Sequence, residues 1–358
     1  MNPVKEELNR LTAVCVSLLC FVFATPLGSI SLRQAADRSG ILIGTAVRPE
    51  RLIEPAYAAT LAREFNLLEP EDAMKWEVVH PDPETFDFSK ADRLVAFAAE
   101  HNMKVRGHTL AWHQQNPRWL TEGRYSPSQL SDILEKHIKT VVGHYRARVF
   151  AWDVVNEVFD QQKLRDTIWQ NQPGIGSPQK DSVYIERCFR WAHEADPKAL
   201  LFYNDAEAEA VNPKSDRIYA MVRDFKDRGV PIDGIGFQMH LGLHPEIASI
   251  AENIGRFTAM GIQVHITEMD VALPINRDGN ATGTDLQRQA EIYRQIAAAC
   301  LSHPGCTAIQ TWGFTDKYSW IGSHSSHTQG AGLLFDQEYR PKPAYDSLRL
   351  ALEGSKRR

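Results

Sequence analysis

Two glutamates, Glu157 and Glu268, stand directly behind strongly apolar runs, VFAWDVVN and QVHIT. A carboxylate in that position closes a strand, and two of them brought together are the minimum equipment for cleaving a glycosidic bond. One donates a proton to the leaving oxygen while the other attacks the anomeric carbon or activates water. Either glutamate alone reads equally well as a strand-end cap or as the partner of an arginine; the pair with its neighbours points to chemistry. Those neighbours are Glu71, His108, Asn156, Asn204 with Asp205, Gln238 with His240, Asp270 and Trp312, each at or near the end of an apolar run. Gathering so many polar groups is costly unless they serve one another or a ligand. Trp76, Trp112, Trp119, Trp312 and Trp320 also fall in or just after these ends. Sugar rings stack their C–H faces on indole while their hydroxyls seek Asn, Gln, Lys and Glu, so a cleft mixing both suits a polysaccharide. Taken singly, each tryptophan also reads as core or rim packing.

These residues need elements to position them. Short runs rich in β-branched residues (ILIGTAV, FNLLEPE, KVRGHTL, VFAWDVVNE, ALLFYND, GIGFQMH, QVHITEMDV, TAIQTWG) alternate with amphipathic stretches such as PAYAATLAREF, PSQLSDILEKHIKTVVGHY and TDLQRQAEIYRQIAAAC. That alternation predicts βα units on a parallel sheet. Ser215 and Gly229 bracket one helix as N-cap and C-terminal stop. Eight units fit an α/β fold of one (β/α)8 TIM barrel, whose C-terminal strand ends share the face where active sites are built. The rival, a doubly wound open sheet, calls for a glycine-rich phosphate loop after an early strand, which is missing here.

The 358 residues suit one large barrel, and a formal net charge of −5 argues against nucleic acid as a partner. The N-terminus stands apart. Leu11 to Ala24 is a strongly apolar stretch ahead of Pro26 and Gly28, so residues 1–29 read as a cleaved signal peptide, with a retained membrane anchor as the alternative. A secreted protein, extracellular or periplasmic, is expected, with no membrane partner after cleavage. Export permits a disulfide, and Cys300 and Cys306 flank a Ser-His-Pro-Gly loop able to bring them together. Cys188 sits in the helical pattern YIERCFRWAHEA as a small apolar residue. His240 with His244, and His324 with His327, have metal-like spacing without a supporting carboxylate motif, so no metal and no cofactor is expected. INRDGNATGTD reads as a surface loop, and the final KRR as a solvated tail.

The segments EPEDAMKW, RGHTLAWHQQNPRW, WDVVNEVF, GIGFQMH, ITEMDV and TWGFTDKYSW, in this order, strongly resemble the family 10 glycoside hydrolases. The resemblance runs from about Gly44 to Tyr345 and identifies residues 40–352 as a catalytic barrel of that family. It implies a retaining endo-1,4-β-xylanase acting on xylan or xylo-oligosaccharides as a monomer. Glu157 matches the acid/base, and Glu268 the nucleophile that forms a covalent glycosyl-enzyme. Asn156 matches the residue bonding the 2-hydroxyl at the cut, and His240 the partner of the nucleophile, with Asp270 supporting it. His108 and Lys75 match contacts to sugars on the non-reducing side, Glu71 and Gln115 the neighbouring subsite. Trp312 matches the platform beneath the reacting sugar and Trp320 its lid. Trp112 and Gln238 join the same substrate-binding set. Gln115 and Trp320 would crowd the C6 position that xylose lacks, excluding glucose by sterics. The two-step scheme asks for a Glu157 pKa raised above the ordinary range while Glu268 is anionic. The chain departs from the family pattern at Asp72, where Asn is usual, and at Ala206 and Glu207, where Tyr-Asn is common. The alternatives are another barrel β-glycosidase, acting on glucan or aryl glycosides, and a non-catalytic polysaccharide-binding protein.

Overall fold

The eight apolar runs form eight strands: β1 (Leu42–Val47), β2 (Leu67–Pro70), β3 (Lys104–Ala111), β4 (Ala151–Asn156), β5 (Leu200–Asp205), β6 (Gly234–Phe237), β7 (Gln263–Val271) and β8 (Cys306–Thr311). This computed structural model describes residues 30–175 and 182–355, so the leader at 1–29 and the KRR tail lie outside the described residues. Every neighbouring pair is parallel, and β8 pairs with both β7 and β1, closing the sheet on itself. The fold is therefore the eight-stranded α/β barrel. Closure leaves no strand edge unpaired, which removes the hazard of an exposed edge.

Helices α1 (Leu32–Ser39), α2 (Pro55–Glu64), α3 (Ser89–Glu100), α4 (Pro127–His144), α5 (Val183–Ala195), α6 (Pro213–Asp227), α7 (Ile247–Ala259), α8 (Gly283–Leu301) and α9 (Pro343–Gly354) surround it. From α2 onward one long helix follows each strand, while α1 packs against α9, tying the two ends of the barrel chain together. Their starts are written locally. Ser126 caps α4 reciprocally with Gln129, with Pro127 in the first turn, where a missing N–H costs nothing. In α6 the N-cap is Asn212, three residues before the expected Ser215. Ser215 is the reciprocal partner: its Oγ accepts from the Asn212 N–H at 2.9 Å, while the Asn212 side chain accepts from the Ser215 N–H at 2.8 Å. Pro213 between them favours the first helical position, which places the boundary earlier. Gly229 follows α6 with φ +65°, the left-handed stop its type allows.

Apolar residues such as Ile43, Leu68, Val105, Leu201, Ile235 and Ile309 are fully or almost fully buried, packing the strands against the helical ring. The barrel interior also holds charge. Arg106 of β3 is fully buried; its Nε lies 3.1 Å from Asp153 of β4, and its Nη1 lies 2.7 Å from His265 Nδ1 of β7. Strands β3 and β7 are not neighbours, so this bond crosses the barrel. In the register between β3 and β4, Gly107 faces Trp152, whose ring would lie 2.2 Å from any Cβ added there. Only glycine fits at that approach. Cys300, at the end of α8, is disulfide-bonded to Cys306 at the start of β8, with Cα atoms 5.2 Å apart. Cys188 is a free, buried thiol on α5.

Candidate active site

Glu157 is the first residue after β4 and takes a left-handed backbone, φ +52°, with its N–H bonded to the Asn204 carbonyl at 2.9 Å. That conformation is uncommon for a residue with a side chain and costs on the order of 1–3 kcal/mol, which the surrounding bonds must offset. Three donors converge on its carboxylate. The Trp112 indole N–H donates to Oε2 at 3.0 Å, and the amides of Gln238 (2.9 Å) and Asn156 (3.2 Å) donate to Oε1. Burial alone would push the Glu157 pKa up. The bonds from Gln238 and Trp112, with His113 and His108 nearby, outweigh it and hold the group below its usual value. The expectation of a raised pKa does not hold for this free site, because neutral N–H groups solvate the anion.

Glu268, the sixth of the nine residues of β7, is 4% exposed. Its Oε1 accepts from Asn204 at 2.8 Å, and its Oε2 lies 3.3 Å from His240 Nε2. His240 Nδ1 lies 3.0 Å from Asp270 Oδ2, which also accepts the Trp320 indole N–H at 2.8 Å. Burial opposes a charge on His240, yet Asp270 and Glu268 outweigh it and raise the pKa well above the ordinary imidazole value. His240 thus bridges two carboxylates, both of which favour its protonated form.

One amide joins the two glutamates. Asn204 Nδ2, which bonds Glu268, also donates to Asn156 Oδ1 at 2.9 Å, while its Oδ1 accepts from Thr267 at 2.7 Å. Asn156 in turn donates to Glu157. The register pairing Asn156 with Asn204 across β4 and β5 makes this link possible. Asn204 was visible at a strand end, but only the paired strands show what it connects.

A second cluster lies on strands β2, β3 and their following loops. Buried Lys75 sits 4.9 Å from the Trp112 ring centre and 5.4 Å from that of Trp312, within cation–π range. Its ammonium lies 3.3 Å from Asp72. Arg48, which sequence patterning gave no reason to single out, bonds Glu71 and Asp72 at 2.8 Å each. Burial raises the Glu71 pKa, with Arg48 pulling the other way. Gln115 donates to Glu77 at 2.9 Å. His108 Nδ1 lies 3.0 Å from Asp153, and its ring centre is 5.4 Å from that of Trp312. Behind it stand Glu69 and Arg106. Glu69, His108 and Asp153 are the one group of three among the described residues with spacing to hold a cation, but Arg106 already supplies positive charge there.

Two of the five tryptophans go elsewhere. Trp76 is 2% exposed, donates to the Leu110 carbonyl at 2.6 Å and stacks on His137 with ring centres 3.5 Å apart. Trp119 packs beside it, 6.3 Å away, and donates to the His80 carbonyl. Both build an aromatic wedge behind the loops, so neither is a sugar platform. Trp112, Trp312 and Trp320 remain half-buried beside the carboxylates.

The arrangement is thus two carboxylates in unlike surroundings, linked by amides and bordered by indoles, a lysine and further acceptors. A family model described as glycosyl hydrolase family 10 matches residues 31–351. Endo-1,4-beta-xylanase B of Thermotoga neapolitana is 43% identical over 354 residues, covering 97% of this chain and 98% of that protein. A beta-1,4-xylanase of Dictyoglomus thermophilum is 40% identical, covering 81% and 82%. The crystal structure of xylanase 10B from Thermotoga petrophila RKU-1 in complex with xylobiose superposes with a TM-score of 0.87 at 43% identity, covering 92% of this chain and 98% of that one. With the match spanning the whole barrel and both glutamate-bearing strands, the chain belongs to glycosyl hydrolase family 10.

Proposed function

We propose that this enzyme is a retaining endo-1,4-β-xylanase that cuts internal bonds of xylan and xylo-oligosaccharides by double displacement. The observation that carries the reading is the amide bridge that holds two carboxylates with different partners side by side. Glu268 is the nucleophile, aimed by His240 and the Asn204 amide. Glu157 is the acid/base. In the free site its donors favour the anion, so substrate must reverse the balance. A glycosidic oxygen is an acceptor, and placed against the Glu157 carboxyl it rewards the protonated form. Once Glu268 is consumed in the glycosyl-enzyme, Glu157 returns as base and activates water. Asn156 bonds the 2-hydroxyl most strongly in the oxocarbenium-like transition state. Glu71, Lys75, His108 and Gln115 hold sugars on the non-reducing side, over Trp312 and under Trp320. The similarity to a structure named for its xylobiose complex supports this substrate class.

Proton NMR of xylan hydrolysis before mutarotation tests the scheme: the β anomer should appear first, and a first-formed α anomer would overturn it. Reducing-sugar release should be strong on xylan and slight on carboxymethyl cellulose. We also infer export to an extracellular or periplasmic compartment, with residues 1–29 as the leader; the Cys300–Cys306 disulfide suits an oxidising environment. N-terminal sequencing of the exported protein should begin after the apolar stretch.

A further inference from the structure

Arg48 is the first residue after β1, and its guanidinium spans two carboxylates: Nε lies 2.8 Å from Glu71 Oε1, and Nη2 lies 2.8 Å from Asp72 Oδ2. Asp72 is shared, since its other oxygen lies 3.3 Å from Lys75 Nζ. The backbone is fixed by the same pairing, with the Glu71 N–H bonded to the Val47 carbonyl at 3.0 Å. Adjacent carboxylates repel, and neither would keep one orientation unaided. Arg48 and Lys75 together neutralise the pair, and the planar guanidinium fixes both headgroups at once, which a point charge cannot do. Arg48 also borders a groove of about 220 Å³ shared with Pro49, Glu50, Asp72, Glu77 and Gln115, continuous with the second cluster of the site.

Resting on the xylanase reading above, we propose that Arg48 is a specificity-determining residue. By holding Glu71 and Asp72 as one rigid acceptor pair, it supplies the recognition of the second sugar on the non-reducing side of the cut. It thereby sets the preference for substrates with at least two sugars there. Arg48 is a positioning residue: it acts through the two carboxylates and through Lys75, not on the reacting atoms.

The test uses an aryl β-xyloside and the matching aryl β-xylobioside, with the same leaving group. The quantity read is kcat/KM on the xylobioside divided by kcat/KM on the xyloside, in the full enzyme. Arg48→Ala should lower the ratio on the order of tenfold, mostly through KM on the xylobioside, the size of one lost charge-assisted contact. Arg48→Lys should lower it less, because charge survives and the fork is lost. Adding Asp72→Asn to Arg48→Ala should recover part of the loss by removing an uncompensated carboxylate. Should Arg48→Ala fail to fold, the Arg48→Lys ratio decides alone. An unchanged ratio, or equal losses on both substrates, overturns the role of Arg48. A parent enzyme inactive on both substrates overturns the xylanase reading itself.

Discussion

Replacing Gln238 by Met removes the donor that contributes most to holding Glu157 anionic, while keeping an unbranched side chain of similar length in a buried position. A hydrogen bond to a charged group is worth about 1.5–3 kcal/mol, and one pKa unit corresponds to 1.36 kcal/mol. The full loss would therefore raise the Glu157 pKa by about one to two units. The lower figure applies, because Asn156 still donates to the same oxygen at 3.2 Å and Trp112 to the other at 3.0 Å. No new buried acceptor is orphaned, since Asn156 Oδ1 keeps its bond from Asn204. The sign follows from the role. Glu157 must carry a proton to protonate a poor leaving group, that proton is lost as pH rises through its pKa, and a higher pKa delays the loss. The alkaline limb of kcat/KM, which reports the free enzyme, should move up by about one unit on xylo-oligosaccharides. On an aryl xylobioside with a highly activated phenol, which needs no proton, the substitution should leave the alkaline side of the profile unchanged. An alkaline limb that stays fixed or moves down on xylo-oligosaccharides would refute the account of how Glu157 is tuned.

Glu157→Ala should lower xylan cleavage by about 10²–10⁴-fold while largely sparing glycosylation by substrates with activated leaving groups; burst kinetics separate the two steps. Gly236→Ala should place a methyl 2.1 Å from Asn204 Oδ1 and 2.9 Å from Thr267 Cγ2. Displacing the amide that links both glutamates should cost about 1–3 kcal/mol of stability and lower kcat at least tenfold, read by thermal unfolding and steady-state kinetics. Replacing both Cys300 and Cys306 by Ala opens a loop of sequence separation 6. Loop-closure entropy puts the loss at about 2 kcal/mol, so the thermal midpoint should fall by several degrees with activity at 25 °C unchanged.

The strands were legible because each buries apolar side chains and then ends abruptly in polar ones, a pattern that suits a barrel with a populated rim. The helix boundary at Asn212 was harder: Ser215 fits the N-cap preference equally well, and only Pro213 in the first turn separates the two. For Trp76 and Trp119 the core alternative holds, because proximity to a strand end in sequence does not fix which side of the loop an indole takes; His137 and His80, distant in the chain, claim them. Arg48 escaped notice because nothing in its neighbourhood along the chain announces a partner; Glu71 and Asp72 come from the next βα unit. The state of Glu157 was misjudged for a related reason. Motif spacing shows that two acids meet, but the three N–H groups that solvate one of them come from three separate strands and loops.

Those surroundings are what turn one residue type into two reagents. Both groups are glutamates, yet Glu157 receives the donors of Gln238, Asn156 and Trp112, whereas Glu268 has His240 3.3 Å away, itself anchored by Asp270. A neutral donor set loses its advantage as soon as substrate offers an acceptor, so Glu157 can change protonation within one turnover. His240, held by the buried Asp270, keeps its place against Glu268, as the proposed nucleophile requires. The proposed division of labour is therefore set by Asn204 of β5, by Gln238 and His240 just beyond β6, and by Asp270 of β7.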